Sequence, residues 1–460
     1  MKTDLDAILH DDALKSAKAS VQVVQLGQAR ELDRVVYEEK SADKLIPASN
    51  QKVITTACAL ETLGPDFQFR TALLRKDKTL ALVGDGDPAF CDTQYVMYTS
   101  KLGVRTTTTF SAWAKGLKDA KLTKFDQLLV DDSVFDEELF NPNWPANQSN
   151  LEYCPEVSGL NFNANCLDVY LLLSGGENVE IRPDPATPFI KITDVLTVGG
   201  DHSVSLQRKA NTNQITVRGV VNGSNTVKPF RVTIHEPALV AGNALRAAFT
   251  QGGVSIDGDV TRDRTIRDAF LQDKDKSGWS VLAVNQTPLL DVLRYTNKES
   301  NNLYAESLLR RVAATSGKPG SRSGGAEALK AFVAKAGATA DDVSPDDGSG
   351  LSKQTLASSR AFCAVLAYMF HGDHRDAYIS TLAVGGVDGT LEKRFNGPLK
   401  GRVFAKSGYV NKVRTLSGYL KTEAGEWYAF SILLNDITDG AKAKSVHERI
   451  VEAIDKNSDK

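Results

Sequence analysis

Pro47-Ala48-Ser49-Asn50-Gln51-Lys52, running on into Val53-Ile54-Thr55-Thr56-Ala57-Cys58-Ala59-Leu60, puts a serine at the mouth of an apolar helix and a lysine one turn further in. Residues three apart on a helix share a face. The Lys52 amine is therefore within reach of the Ser49 hydroxyl. A serine hydroxyl is a weak nucleophile until a neighbouring base takes its proton, and a lysine desolvated into its neutral form can be that base. The same serine would also serve as a helix N-cap, and spacing alone leaves both readings open. Gly64-Pro65 ends the helix.

A lone Ser-x-x-Lys is a weak signal, and the chain carries a second one, Ser41-Ala-Asp-Lys44. After it only Leu45 and Ile46 are apolar before Pro47 interrupts, so no useful helix can start there. Two further polar clusters suit the same chemistry. Asn297-Lys-Glu-Ser300-Asn301-Asn302 precedes a helix opened by Leu303, Leu308 and Leu309. It offers a hydroxyl to relay a proton and an amide to hold a carbonyl, or else plain capping groups. Phe404-Ala-Lys406-Ser407-Gly408-Tyr409-Val410 reads as a strand followed by a second strand. There a cation and a hydroxyl can meet an anionic substrate end, with Gly408 allowing close backbone approach. Another Lys-Ser-Gly, Lys276-Ser277-Gly278, lies in a solvated loop.

Around these clusters the chain reads as an ordinary globular protein too long for one core. It has 460 residues, 42% hydrophobic and 24% charged, with net charge −2. No basic excess points to nucleic acid. No apolar run approaches the roughly 18 residues that span a bilayer. The first twelve residues carry no apolar signal core, which leaves a cytoplasmic chain and a processed exported chain both open. Five cysteines (Cys58, Cys91, Cys154, Cys166, Cys363) show no metal-ligand spacing; a Cys154–Cys166 bridge is one option among several.

The periodicity predicts a hairpin from Val21–Leu26 and Glu31–Tyr37 before the Ser49 helix. A strand–helix–strand unit follows, with a strand from Leu80, a helix over Phe110–Ala120 and a buried strand from Gln127. Short alternating runs at 169–173, 189–192, 203–206, 215–217 and 230–234 predict a small all-β module. Pro237–Gly252 is helical, and from Val281 onward the texture is helical again. The end reads as strands at 401–405, 415–420 and 427–434, then a helix over 441–454.

Taken in order, Ser49/Lys52, Ser300/Asn302 and Lys406/Ser407/Gly408 form the three-motif set of serine β-lactamases and penicillin-binding proteins, and the chain resembles the penicilloyl-serine transferase superfamily. Ser300 lies 248 positions after Lys52, more than a compact β-lactamase has room for. The low-molecular-weight class C penicillin-binding proteins carry extra domains there. Gly84-Asp-Gly-Asp-Pro88, Val130-Asp-Asp-Ser-Val-Phe135, Asp347-Gly-Ser-Gly-Leu-Ser352 and Gly386-Val-Asp-Gly-Thr-Leu391 are similar to that family as well, so the resemblance covers nearly the whole chain.

The resemblance implies an α+β fold. A transpeptidase/β-lactamase-like domain, an antiparallel sheet flanked by helices, takes residues 1–66 and 263–460. Two smaller domains are inserted, an α/β one from 67–167 and 236–262 and a mostly β one from 168–235. It implies a D-alanyl-D-alanine carboxypeptidase and endopeptidase acting on peptidoglycan stem peptides, acylated by β-lactams, without metal or cofactor, outside the cytoplasm. The roles that follow are Ser49 as nucleophile, Lys52 as base, Ser300 as proton relay, Asn302 on the substrate amide, and Lys406 with Ser407 on the terminal carboxylate. Gly408 and the backbone of Tyr409 line the oxyanion site, and Asp131 and Lys353 bind the substrate side chain. The chain departs from the family in having Ser407 where threonine is usual, Lys353 where arginine is common, and the bulky Tyr409 where a small residue is usual. Two alternatives stand beside this reading: a β-lactamase or esterase of the same superfamily, and a non-catalytic peptidoglycan-binding protein.

Overall fold

A computed structural model describes residues 1–11, 14–174, 178–222, 228–272 and 275–458. The chain divides into two compact units. The first comprises Met1–Phe67, Pro288–Ser316 and Gly320–Lys460, and the second Gln68–Thr287 with Gly317–Pro319.

The first unit is built on a six-stranded antiparallel sheet in the order Ala383–Val384, Val403–Val410, Val413–Lys421, Trp427–Asn435, Lys18–Leu26, Arg34–Glu39. Strand period two sorts its side chains. Val21, Val23, Leu416, Leu420 and Ile432 turn to one face, where Leu5, Ile8, Val446, Ile450 and Ile454 of the two terminal helices complete a core. Residues between them turn to the other face and meet the Ser359–His371 helix: Ser20 Oγ donates to Ser359 Oγ (2.9 Å) and Tyr419 Oη to the Leu366 carbonyl (2.7 Å). That second face also receives the Ser49 turn, through Thr415 and Ser417. The predicted N-terminal hairpin and three C-terminal strands are all present in this sheet. Past Ala405 the Val403–Val410 strand has no paired strand on its outer side among the described residues, so its edge is open.

The second unit contains a five-stranded sheet in which Thr79–Val83 and Gln127–Asp131 run parallel, with the Thr108–Asp119 helix between them in sequence. Its all-β part forms two three-stranded sheets. One pairs Phe230–Thr233, Cys166–Ser174 and Asn178–Asp184; the other pairs Lys191–Val198, Gln214–Val221 and Ser203–Arg208. The unit runs to Thr287, beyond the expected boundary at 263, because Val260–Arg262 and Ser280–Pro288 are the two edge strands of the five-stranded sheet. Ser280–Pro288 is therefore a strand where helix was expected from Val281. Its Val-x-x-Val apolar spacing suits a helix, but pairing at a sheet edge decides it. All five cysteines are free thiols, so the Cys154–Cys166 option is not used.

Candidate active site

Ser49 sits in a single 3-10 turn, Ala48–Asn50, ahead of the Gln51–Leu63 helix. That helix is buried from Gln51 to Leu60 and has no side-chain cap, so the Ser49 hydroxyl is not spent on capping. Two glycines let the turn be gripped from both sides. Gly350, at φ +76°, lies so close that a Cβ there would stand 1.8 Å from the Ala48 carbonyl oxygen. A Cβ on Gly408 would meet Thr415 Oγ1 at 2.1 Å and the Pro47 carbonyl oxygen at 2.9 Å. Thr415 Oγ1 itself donates to the Pro47 carbonyl (2.7 Å), and Asn50 Nδ2 donates to Ser417 Oγ (2.6 Å). Gly408→Ala is thus expected to force the strand off the turn and cost about 1–3 kcal/mol of stability, read from a denaturant titration; unchanged stability would show that the contact gives way freely.

Lys52 is fully buried. Its Nζ donates to Ser49 Oγ (3.1 Å), to Asn302 Oδ1 (2.7 Å) and to the Ser349 carbonyl (2.9 Å). Asn302 is the first residue of the Asn302–Ala313 helix. The cap is Asn301, whose side chain accepts from Tyr304 N (3.3 Å), which leaves Asn302 for the lysine. Ser300, half-buried and at φ +59°, is the residue before the cap. Burial lowers the Lys52 pKa to about 7, against the opposing charges of Asp347 and Glu306. A neutral amine keeps two N–H groups and one lone pair. Asn302 Oδ1 and the Ser349 carbonyl can only accept, so they take the two N–H groups. The lone pair is left facing Ser49 Oγ, the one partner that can donate.

The Lys406 side chain is buried, and its Nζ donates to the Ser407 carbonyl (2.7 Å). Burial and the charge of Lys52 hold its pKa well below that of an ordinary lysine, with Glu299 opposing. Ser407 Oγ donates to Thr390 Oγ1 (2.9 Å), which brings the Gly386–Leu391 stretch to the third motif. Tyr409 is 64% exposed. Its cross-strand partner Arg414 lays its guanidinium 3.7 Å from the ring centroid, a cation–π contact that parks the ring on Arg414.

Lys353 and Asp131 are the two remaining residues expected to bind substrate. Lys353 is exposed, just past the Asp347–Ser352 loop. Asp131 belongs to the second unit and is fully buried; Ser133 N donates to its Oδ1 and Arg267 N to its Oδ2, both at 2.7 Å. Burial raises its pKa. The second matches to the short motifs stay out of any site. Ser41 Oγ donates to Glu38, Lys44 Nζ to Ser344, and Ser277 Oγ accepts from Trp279 N in a turn.

Beneath Lys52 lies a layer of residues to which the sequence reading gave no role, although Ser300–Glu306 and Asp347–Ser352 both resemble family motifs. Glu306 Oε1 accepts from Gly348 N (3.0 Å) and Ser349 N (2.8 Å). Asp347 accepts from Gly350 N, Ser352 N and Thr355 Oγ1. The available signal was spacing: Glu306 is one turn after Asn302 on the same helix, hence on the same face.

A serine whose hydroxyl faces a buried lysine, a second buried lysine on a sheet edge and a hydroxyl-bearing helix entry together define a serine acyl-transfer site on an α+β scaffold. The sequence model of the D-Ala-D-Ala carboxypeptidase 3 (S13) family matches residues 1–457, and the chain belongs to that family. The chain is 28% identical over 460 residues to a D-alanyl-D-alanine carboxypeptidase of Actinomadura sp. (strain R39), covering 95% of this chain and 81% of the relative. It is 26% identical over 420 residues to D-alanyl-D-alanine carboxypeptidase DacB of Haemophilus influenzae, covering 89% and 84%. The fold matches the crystal structure of penicillin binding protein 4 (dacB) from Haemophilus influenzae with a TM-score of 0.78 at 24% identity, over 98% of this chain and 99% of that one. The same protein complexed with a β-lactam matches with a TM-score of 0.72 at 23% identity, over 98% of each chain.

Proposed function

We propose that this protein is a serine D-alanyl-D-alanine carboxypeptidase and endopeptidase of peptidoglycan stem peptides, working in the cell envelope through an acyl-enzyme on Ser49. The observation that carries the reading is the Lys52 amine, buried and fixed by two acceptors so that its third position faces Ser49 Oγ. Ser49 Oγ gives its proton to neutral Lys52 and attacks the carbonyl of the penultimate D-Ala. The N–H groups of Ser49 and Tyr409 take the oxyanion; the Gly408–Asn50 approach supports this by packing the strand on the turn. Ser300 passes a proton to the leaving amine, with Lys406 tuning it, and terminal D-Ala departs. Asn302 also holds the substrate amide, and Lys406 and Ser407 bind the terminal carboxylate. Water then cleaves the ester and regenerates Ser49. Lys353 is exposed and suited to read the stem-peptide side chain. β-Lactams acylate Ser49 because their ring presents the same carbonyl. Among the described residues no three His, Cys, Asp or Glu side chains gather into a metal-binding group. No helix among them is long and apolar enough to cross a membrane.

The test is intact-mass and peptide-mapping spectrometry of the protein with benzylpenicillin, followed over time, beside release of D-Ala from a pentapeptide. A persistent adduct on the Ser49 peptide together with D-Ala release is expected. Rapid loss of the adduct would mark a β-lactamase, and no adduct with no release a binding protein. The pH dependence carries its own sign. Only neutral Lys52 can accept the proton, and its pKa is lowered to about 7. Acylation should therefore rise about tenfold per pH unit below that value and level off above it. A rate that falls as pH rises through 7 would exclude Lys52 as the base.

A further inference from the structure

Glu306 is a buried carboxylate for which the mechanism has no use, placed one hydrogen bond away from the groups that hold Lys52. Its Oε1 collects the N–H groups of both Gly348 and Ser349, and Oε2 lies 3.2 Å from Gly348 N. The carbonyl of Ser349 accepts from Lys52 Nζ. Thr55 Oγ1, on the nucleophile helix, donates to the Gly348 carbonyl at 2.8 Å. The turn between Asp347 and Gly350 is thus gripped from the Asn302–Ala313 helix by Glu306 and from the Gln51–Leu63 helix by Lys52 and Thr55. Asn302 and Glu306, one turn apart on one helix, address Lys52 directly and through that turn respectively.

We propose that Glu306 is a positioning residue for the Lys52 base: its carboxylate orients the Gly348–Ser349 turn so that the Ser349 carbonyl fixes one N–H of Lys52. Where it is ionised, its charge also favours the protonated amine. This rests on the reading of Lys52 as the base that activates Ser49. The charged groups around the pair are few. Asp347 and Glu306 face Lys52 with negative charge, Lys406 faces it with positive charge, and Arg310 faces Glu306. Glu299 faces Lys406 from the loop before Ser300. Burial and Asp347 push the Glu306 carboxyl up to about 7, the range in which Lys52 titrates, while the Gly348 and Ser349 N–H groups and Arg310 pull it back.

Glu306→Gln separates charge from shape. One oxygen of Glu306 takes both N–H groups, so the glutamine oxygen can keep both contacts while the charge is lost. The pH profile of Ser49 acylation by benzylpenicillin is the readout, with adduct location by mass spectrometry. Losing the charge that Glu306 carries once ionised should move the midpoint of the acid limb down. A merely structural glutamate would lower the rate at every pH without moving the midpoint, and an unmoved midpoint overturns the proposal. Glu306→Asp keeps the charge but withdraws the carboxylate by one methylene. It should leave the midpoint in place and cut the plateau rate by about tenfold; a wild-type plateau would overturn the positioning role even if the glutamine variant does not fold. Wild-type protein that is not acylated on Ser49 at all would refute the proposed function instead, so the two failures are distinct.

Discussion

Ser49→Ala is expected to take up no covalent penicillin and to release no D-Ala, while unfolding within about 1 kcal/mol of wild type. The second half of that statement makes the first informative. Ser49 is half-buried, its hydroxyl caps nothing, and the turn around it is held by Pro47, Asn50, Gly350 and Gly408. Removing one oxygen therefore takes away the nucleophile and leaves the scaffold. Fluorescent penicillin on a denaturing gel, beside a thermal melt, reads both. Equal labelling of the alanine variant would place the nucleophile elsewhere.

Lys52→Met carries the next largest effect. Methionine fills nearly the same volume with no proton acceptor, so acylation of Ser49 should slow by about 10²–10⁴-fold, the usual worth of a positioned base. Its acid limb should vanish with it. Stability moves the other way. The folded chain lowers the Lys52 pKa to about 7 from an ordinary 10.5. Between those values the unfolded state binds the extra proton, so stability rises with pH across that window. At neutral pH the buried amine is a cost that methionine removes. The Asn302 and Ser349 oxygens lose their donor, a loss of about 1–3 kcal/mol that offsets part of this gain. The variant should melt at or above wild type at pH 7, and its stability should no longer climb between pH 7 and 10. A melt well below wild type would mean that the lysine is held in place chiefly as a structural cation.

Much of this site is legible along the chain because its key relation is local. Ser49 and Lys52 meet through helical periodicity alone, and Pro47 rules out Ser41–Lys44 by the same local logic. Alternation likewise marks the C-terminal strands, since one face of each lies on a core. Elements whose state depends on distant partners are less legible. Ser280–Pro288 is a strand because it pairs at a sheet edge, not because its own pattern demands it. Tyr409 stacks on Arg414 because the hairpin register sets them opposite, which neither residue encodes alone.

The sequence by itself determined the pairing of Ser49 with Lys52 and the order of the three motifs, because helix period and strand alternation are properties of neighbouring residues. Only the tertiary structure decided the proton affinity of the lysine. Its burial, the two acceptors from Asn302 and Ser349, and the Glu306 and Asp347 carboxylates come from segments some 250 to 300 positions away. Proton affinity depends on solvation and on charges in space, and the linear chain specifies neither until it has folded.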